Sequence, residues 1–170
     1  AVQVTDSDGI RGVAYCLSRE APMAEIVDRL VAPHARGADA DDPATTWGRM
    51  LRGSAIVGRV GLVRRAIGLV DIALWDVAAR RAGVPLWQML GTGDAPREAM
   101  LVAAYPSATR TPREVADEVL AQAAGWAQVK ISRVPDPSYM RALLTILAAE
   151  LPPSTGLVVD VGFGWRDADE

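Results

Sequence analysis

The sequence predicts a mixed α/β chain built in two parts, an antiparallel hairpin with helices and then a βαβαβ run. Two strand-like stretches flank a turn signal near the start, and an unusually long apolar helix fills the middle. From about residue 98 the rhythm changes to short apolar strands alternating with amphipathic helices. That spacing is the pattern of crossovers in a parallel sheet or barrel. The division falls at residues 1–97 and 98–170.

Taken in order, Val2-Gln3-Val4-Thr5 alternates as a strand should, Asp6-Ser7-Asp8-Gly9 is a turn signal, and Ile10 to Leu17 reads as the second arm of the hairpin. Pro22 to Leu30 suits a helix with proline in its first turn. Asp42 is a plausible cap for a helix opening at Pro43 and passing through Trp47 and Leu51. The strongest helix runs from about Gly58 to Arg81, with Leu62, Val63, Ala66, Ile67, Val70 and Leu74 among apolar residues that cover most of its circumference. Such a helix is expected to be buried on more than one side. Gly83 and Pro85 stop it, and Leu86 to Leu90 forms a short helical turn.

The second half begins with a strand over Met100–Ala104. A helix follows over Pro112–Ala124, capped by Thr111 with proline at its first position. Gln128–Ser132 reads as a strand, Pro137–Leu151 as a helix, Leu157–Asp160 as a strand, and Arg166–Glu170 as the acidic first turn of another helix. Ala1 is not an initiator methionine and falls inside a strand, while Glu170 falls at a helix start. The sequence therefore reads as cut at both ends.

A net charge of -3 on 170 residues, half of them apolar, describes a soluble globular chain. No basic run points to nucleic acid, and no apolar stretch approaches a membrane span. The single Cys16 forms no internal disulfide, fits a reducing cytoplasm, and is most simply a buried small hydrophobe. The single His34 is expected on a solvated loop. Trp47, Trp75 and Trp87 are expected in the core. Asp71 and Asp76, on the apolar helix, are expected to pair with arginine or cap backbone groups.

Lys130 is the only lysine beside seventeen arginines. An ammonium on a flexible stem does chemistry that a guanidinium does not, although an incidental surface lysine is the plain alternative. In parallel α/β proteins reactive residues gather at the carboxyl ends of strands. Lys130 and Ser132, two apart on one strand, share a face, with Val129 and Ile131 on the other. Asp160 ends the next strand and would bring a carboxylate near the ammonium. A turn-forming aspartate before Gly162 is its bland alternative.

The stretch from Ala66 to Gly91 reads AIGLVDIALWDVAARRAGVPLWQMLG, with Asp71-x-Ala73-x-Trp75-Asp76, the pair Arg80 and Arg81, Gly83-Val84-Pro85-Leu86 and Leu90-Gly91. This resembles the mandelate racemase and muconate lactonizing family of the enolase superfamily. Thr5-Asp6-Ser7-Asp8-Gly9-Ile10-x-Gly12 looks like that family's hairpin. Gly125 to Lys130 looks like the approach to its Lys-x-Lys strand, and Leu157 to Trp165 looks like its Asp-x-Asn segment. Leu69 departs from the small residue usual there.

The resemblance implies an enolase-like α+β capping domain followed by the first strands and helices of a modified (β/α)8 TIM-type barrel. It further implies an enzyme that binds magnesium through three carboxylates, removes the proton alpha to the carboxylate of a small-molecule substrate and stabilises the resulting enediolate. Asp160 matches the first metal ligand, a hard oxygen of the kind magnesium takes. The other two ligands and the opposite-face base are expected beyond Glu170. Family members are often multimers, so a homo-oligomer is implied.

Lys130 matches the first lysine of Lys-x-Lys and would polarise the substrate carboxylate, while Ser132 replaces the second lysine, the base on one face. A serine hydroxyl does not fill that role without a partner base. A register slip of two would instead make Lys130 the base, with Gln128 in the first place. Gly162 stands where the family commonly has asparagine. Tyr105, just after the first barrel strand, is placed to line the substrate pocket. One-base chemistry favours an acid-sugar or hydroxy-acid dehydratase over a racemase, epimerase or cycloisomerase. A homologue that has lost catalysis and serves as a binding or structural protein is the reading from another class.

Overall fold

The computed structural model describes residues 1–58, 60–91, 93, 95–107 and 109–162, so the helical turn expected at Arg166–Glu170 lies outside the described residues. The chain divides into two units, Ala1–Ala95 and Pro96–Glu170.

In the first unit β1 (Val2–Thr5) pairs antiparallel with β2 (Arg11–Ala14), Val2 lying opposite Ala14 and Thr5 opposite Arg11. Asp6 builds the turn: its Oδ1 accepts the N–H groups of Asp8 at 2.9 Å and Ile10 at 2.8 Å. The second arm is shorter than the expected Ile10–Leu17. It ends at Ala14, whose partner is Val2, the first residue of β1. The chain then turns through Arg19 and Glu20, both at positive φ.

The helix expected at Pro22–Leu30 runs further. α1 (Met23–Ile26) passes through a π-helical turn at Val27–Val31 into α2 (Ala32–Ala35). His34, expected on a loop, lies in α2 and packs on Gly53, where an added Cβ would collide with its ring. Pro33 falls in the first turn of α2, directly after the π-helical turn. α3 (Pro43–Gly53) is capped by Asp42, whose Oδ1 accepts the Thr45 N–H at 3.0 Å.

α4 (Gly61–Ala82) is the spine of this unit, ending at Gly83 in the left-handed conformation. β2 crosses it so closely that a Cβ at Gly12 would overlap the Ala73 carbonyl oxygen and fall 2.7 Å from the Val77 nitrogen. Asp76 tightens the crossing: its Oδ2 accepts the Val13 N–H at 2.9 Å and the Arg80 Nε at 3.0 Å. Arg81 ties three segments. Its Nη1 donates to Asp6 Oδ2 at 2.8 Å and Asp8 Oδ2 at 2.7 Å, and its Nε to Asp41 Oδ1 at 3.0 Å.

Asp76 thus satisfies both expectations for a helix carboxylate, and Asp71 neither. The Asp71 Oδ1 is buried with no hydrogen-bond partner among the described residues, and burial raises its pKa. Trp47 packs against the core with the Arg64 guanidinium 4.8 Å from its ring centroid. Trp75 is half-buried, whereas Trp87, on α5 (Leu86–Met89), is nearly half-exposed rather than core. Cys16 is half-buried against the β1–β2 and α4 core.

The second unit is a β3-α6-β4-α7-β5 run with the three strands parallel in sequence order. β3 is Leu101–Ala104, β4 Gln128–Ser132 and β5 Gly156–Asp160, joined by α6 (Pro112–Ala123) and α7 (Pro137–Glu150). A reciprocal capping box starts α6: the Thr111 N–H donates to Glu114 Oε2 at 2.7 Å, while Thr111 Oγ1 accepts the Glu114 N–H. Asp136 caps α7, accepting the Ser138 N–H at 2.8 Å. Val115 and Val119 of α6 and Leu143 and Leu147 of α7 pack with fully buried Val129 and Ile131 of β4. Both helices therefore cover one face of the sheet. No helix among the described residues is long and apolar enough to cross a membrane.

Candidate active site at the carboxyl ends of the parallel strands

Alternation along β4 sends Val129 and Ile131 into the helix-covered core and leaves Lys130 and Ser132 on the opposite face. Parallel register then builds rows on that face. Val102, Lys130 and Val158 form one row across the three strands. Ser132 and Asp160 form the next, nearer the carboxyl ends. Val102 and Val158 are 45 and 38% exposed and flank the strand position from which the lysine stem rises.

Lys130 reaches diagonally across this register. Its Nζ lies 2.8 Å from Asp160 Oδ2, with the two side chains 28 and 42% exposed. Asp160 Oδ1 accepts the Gly162 N–H at 3.0 Å, so each carboxylate oxygen has one fixed donor. The Lys130 ammonium, and then the Gly162 N–H, hold the Asp160 carboxyl below the usual carboxylate range. Gly162 adopts φ 53°, the left-handed region in which glycine is unstrained. The Arg133 N–H donates to the Asp160 carbonyl at 3.0 Å and extends the ladder past Ser132. Three residues expected at the strand ends, Lys130, Ser132 and Asp160, are thus neighbours.

Tyr105 lies just past the end of β3, beyond a feature the sequence did not signal. The register jumps from Val102↔Lys130 to Ala104↔Ile131, so one residue of β3 is extra and both Ala103 and Ala104 are buried. Unbroken alternation would give Tyr105 the parity of Val129 and Ile131. The bulge reverses the parity, and continuing from Ala104 gives Tyr105 the face of Lys130 and Ser132. Tyr105 is 73% exposed. Sequence reasoning also missed Val102 and Val158, whose only signal was the period of two.

Asp160 fits magnesium as one hard oxygen donor, partly exposed and with unshared pairs on both oxygens. No group of three or more His, Cys, Asp or Glu residues placed to hold a metal occurs among the described residues. Asp160 alone is no complete donor set, but its carboxylate is of the kind that would serve as one ligand of several.

A wide groove in the first unit runs along β1, lined by Val2, Val4, Met23, Leu69 and Arg81 among others. It is flanked by a structural ion-pair network.

Residues 1–91 match the family model of the mandelate racemase / muconate lactonizing enzyme N-terminal domain. The chain belongs to the mandelate racemase and muconate lactonizing enzyme family. It is 31% identical over 173 residues to a 3,6-anhydro-alpha-L-galactonate cycloisomerase of Streptomyces coelicolor, covering 96% of this chain and 46% of that protein. It is 36% identical over 91 residues to an L-talarate/galactarate dehydratase of Salmonella typhimurium, covering 52% of this chain and 23% of the relative. The chain thus spans less than half the length of these curated relatives. A solved racemase from Streptomyces coelicolor A3(2) with bound magnesium superposes with a TM-score of 0.80 at 28% identity, over 96% of this chain and 50% of that one. The fold is the enolase-type combination of an α+β capping-type domain with the opening strands and helices of a (β/α) barrel.

Proposed function

We propose that the protein is a magnesium-dependent enzyme that removes the proton alpha to a carboxylate, acting as an acid-sugar or hydroxy-acid dehydratase. The observation that carries this reading is the Lys130–Asp160 contact at the carboxyl ends of adjacent parallel strands, with Ser132 beside it. The Salmonella typhimurium dehydratase and the magnesium-bound Streptomyces coelicolor structure support it.

Lys130 is the electrostatic partner of the substrate carboxylate. An ammonium aimed where negative charge develops lowers the barrier to enediolate formation more than it stabilises the ground state. Ser132 offers a hydroxyl that orients a substrate oxygen and is assigned no base role. Tyr105 walls the pocket from the β3 end. Asp160 would supply one oxygen ligand to magnesium, whose charge would further lower the cost of the enediolate. The group that takes the alpha proton is assigned outside the described residues.

A second reading is favoured by one observation, the 31% identity to a cycloisomerase along nearly all of this chain. The test is a panel of hydroxy acids and acid sugars with magnesium in D2O, followed by NMR. Water loss with alpha-proton removal supports the dehydratase. Alpha-proton exchange with isomerisation and no water loss supports the second reading. Lys130→Ala is expected to lower turnover roughly a hundredfold or more, and unchanged turnover would remove Lys130 from its role.

A further inference from the structure

Why this strand end carries a lysine in a chain otherwise built with arginine has an answer in the contact it makes. Lys130 Nζ holds Asp160 Oδ2 through a single 2.8 Å contact, while the Gly162 N–H holds Oδ1 from the other side. The ammonium comes from the row below Asp160, on a four-carbon stem that is free to swing. Ser132, directly across from Asp160, is short, and among the described residues the two oxygens are held by Gly162 and Lys130. The carboxylate is therefore oriented and charge-compensated while its side chain stays 42% exposed.

A divalent cation and an ammonium both within hydrogen-bonding distance of one carboxylate oxygen repel each other strongly in a partly desolvated site. We infer that Lys130 is the resident counter-ion of Asp160 and that metal binding displaces it. Occupation of the metal site and release of the ammonium toward the substrate carboxylate are then one exchange. This rests on the reading of Asp160 as a magnesium ligand. The lysine matters because its grip is monodentate. A guanidinium would clamp both ends of an available carboxylate edge and exchange poorly.

The test is calorimetric titration of the whole protein with magnesium chloride alone, for four forms. Asp160→Asn is expected to lose most of the affinity. Lys130→Met, uncharged and of similar length, is expected to bind magnesium roughly tenfold more tightly. Lys130→Arg keeps the charge and strengthens the clamp, so it is expected to bind roughly tenfold more weakly. Circular dichroism melts confirm that each variant is folded. If Asp160→Asn binds as the parent does, the ligand reading fails and the exchange falls with it. If Asp160→Asn loses affinity but Lys130→Arg matches the parent, only general charge is at work and the exchange alone is overturned. A crystal structure with magnesium is expected to show Nζ moved more than about 4 Å from Asp160 Oδ2, and a retained contact would overturn the inference independently.

Discussion

Ser132 stands directly across the parallel register from Asp160, on the strand whose Lys130 ion-pairs with that same carboxylate. In the Lys-x-Lys pattern this position carries the second ammonium. On the proposed function, its absence leaves one face of the pocket without a base from this strand. Ser132→Lys is expected to add alpha-proton exchange on that face, read as a new deuterated epimer in D2O by NMR. Dehydration without any new epimer would show that position 132 does not face the reacting carbon.

Tyr105 directly follows the bulge at Ala103–Ala104, and continuing the register past it gives Tyr105 the face of Lys130. Tyr105→Ala is expected to raise KM about tenfold with a smaller change in kcat, as loss of a wall rather than of a reacting group does. Steady-state kinetics decide this, and an effect on kcat alone would place Tyr105 in the chemistry instead.

Gly12 lies against the backbone of α4 at Ala73 and Val77. Neither neighbour is the far end of a flexible side chain, so the helix or the strand must move to admit a methyl group. Gly12→Ala is expected to cost about 3 kcal/mol, measured by denaturant unfolding. A cost near zero would mean that β2 rides over the helix more loosely than described.

Two carboxylates on α4 separate by partner. Asp76 bonds Val13 N–H and Arg80, and burial opposes but does not outweigh these bonds in lowering its pKa. Asp76→Ala is expected to destabilise by about 1–2 kcal/mol. Asp71, its pKa raised by burial, binds its proton more tightly folded than unfolded. Its ionised form therefore opposes folding above the folded pKa, and that penalty fades as pH falls toward the ordinary carboxylate range. Asp71→Asn is expected to stabilise the chain at pH 7 and to lose that advantage near pH 4.

The Arg81 guanidinium, followed by the Ile10 and Asp8 N–H groups, lowers the Asp6 pKa against the opposing effect of burial. A depressed folded pKa contributes stability that is complete above the unfolded value of about 3.9 and is lost as pH falls through the folded one. Arg81→Ala is expected to lower Tm at pH 7 and to shrink the loss of Tm between pH 5 and pH 2. A parallel downward shift at every pH would show that Arg81 acts through packing alone.

The strands and helices of the second unit were legible because each is punctuated: Thr111-Pro112 and Asp136-Pro137 open helices, and β4 alternates cleanly between Val129 or Ile131 and Lys130 or Ser132. The Lys130–Asp160 meeting followed from that alternation once the strands were taken as neighbours. His34 was misplaced because Pro33 looks like a helix breaker when the helix that begins at Ala32 is not foreseen. The bulge left no mark, since Ala103-Ala104 fits a regular strand equally well and only pairing with β4 reveals the extra residue. Asp71 and Asp76 sit on one helix, and Asp76 is set apart by Arg80 one turn on and by the approach of Val13.

Lys130 supplies the only side-chain amine within these 170 residues. Coupling to this side chain, whether of a resin, a dye or a cross-linker, thus modifies the candidate site itself. Immobilisation through lysine would tether it by the residue proposed to meet substrate. The yield of such labelling at Lys130, followed by peptide mass spectrometry, would report how firmly Asp160 keeps hold of the ammonium.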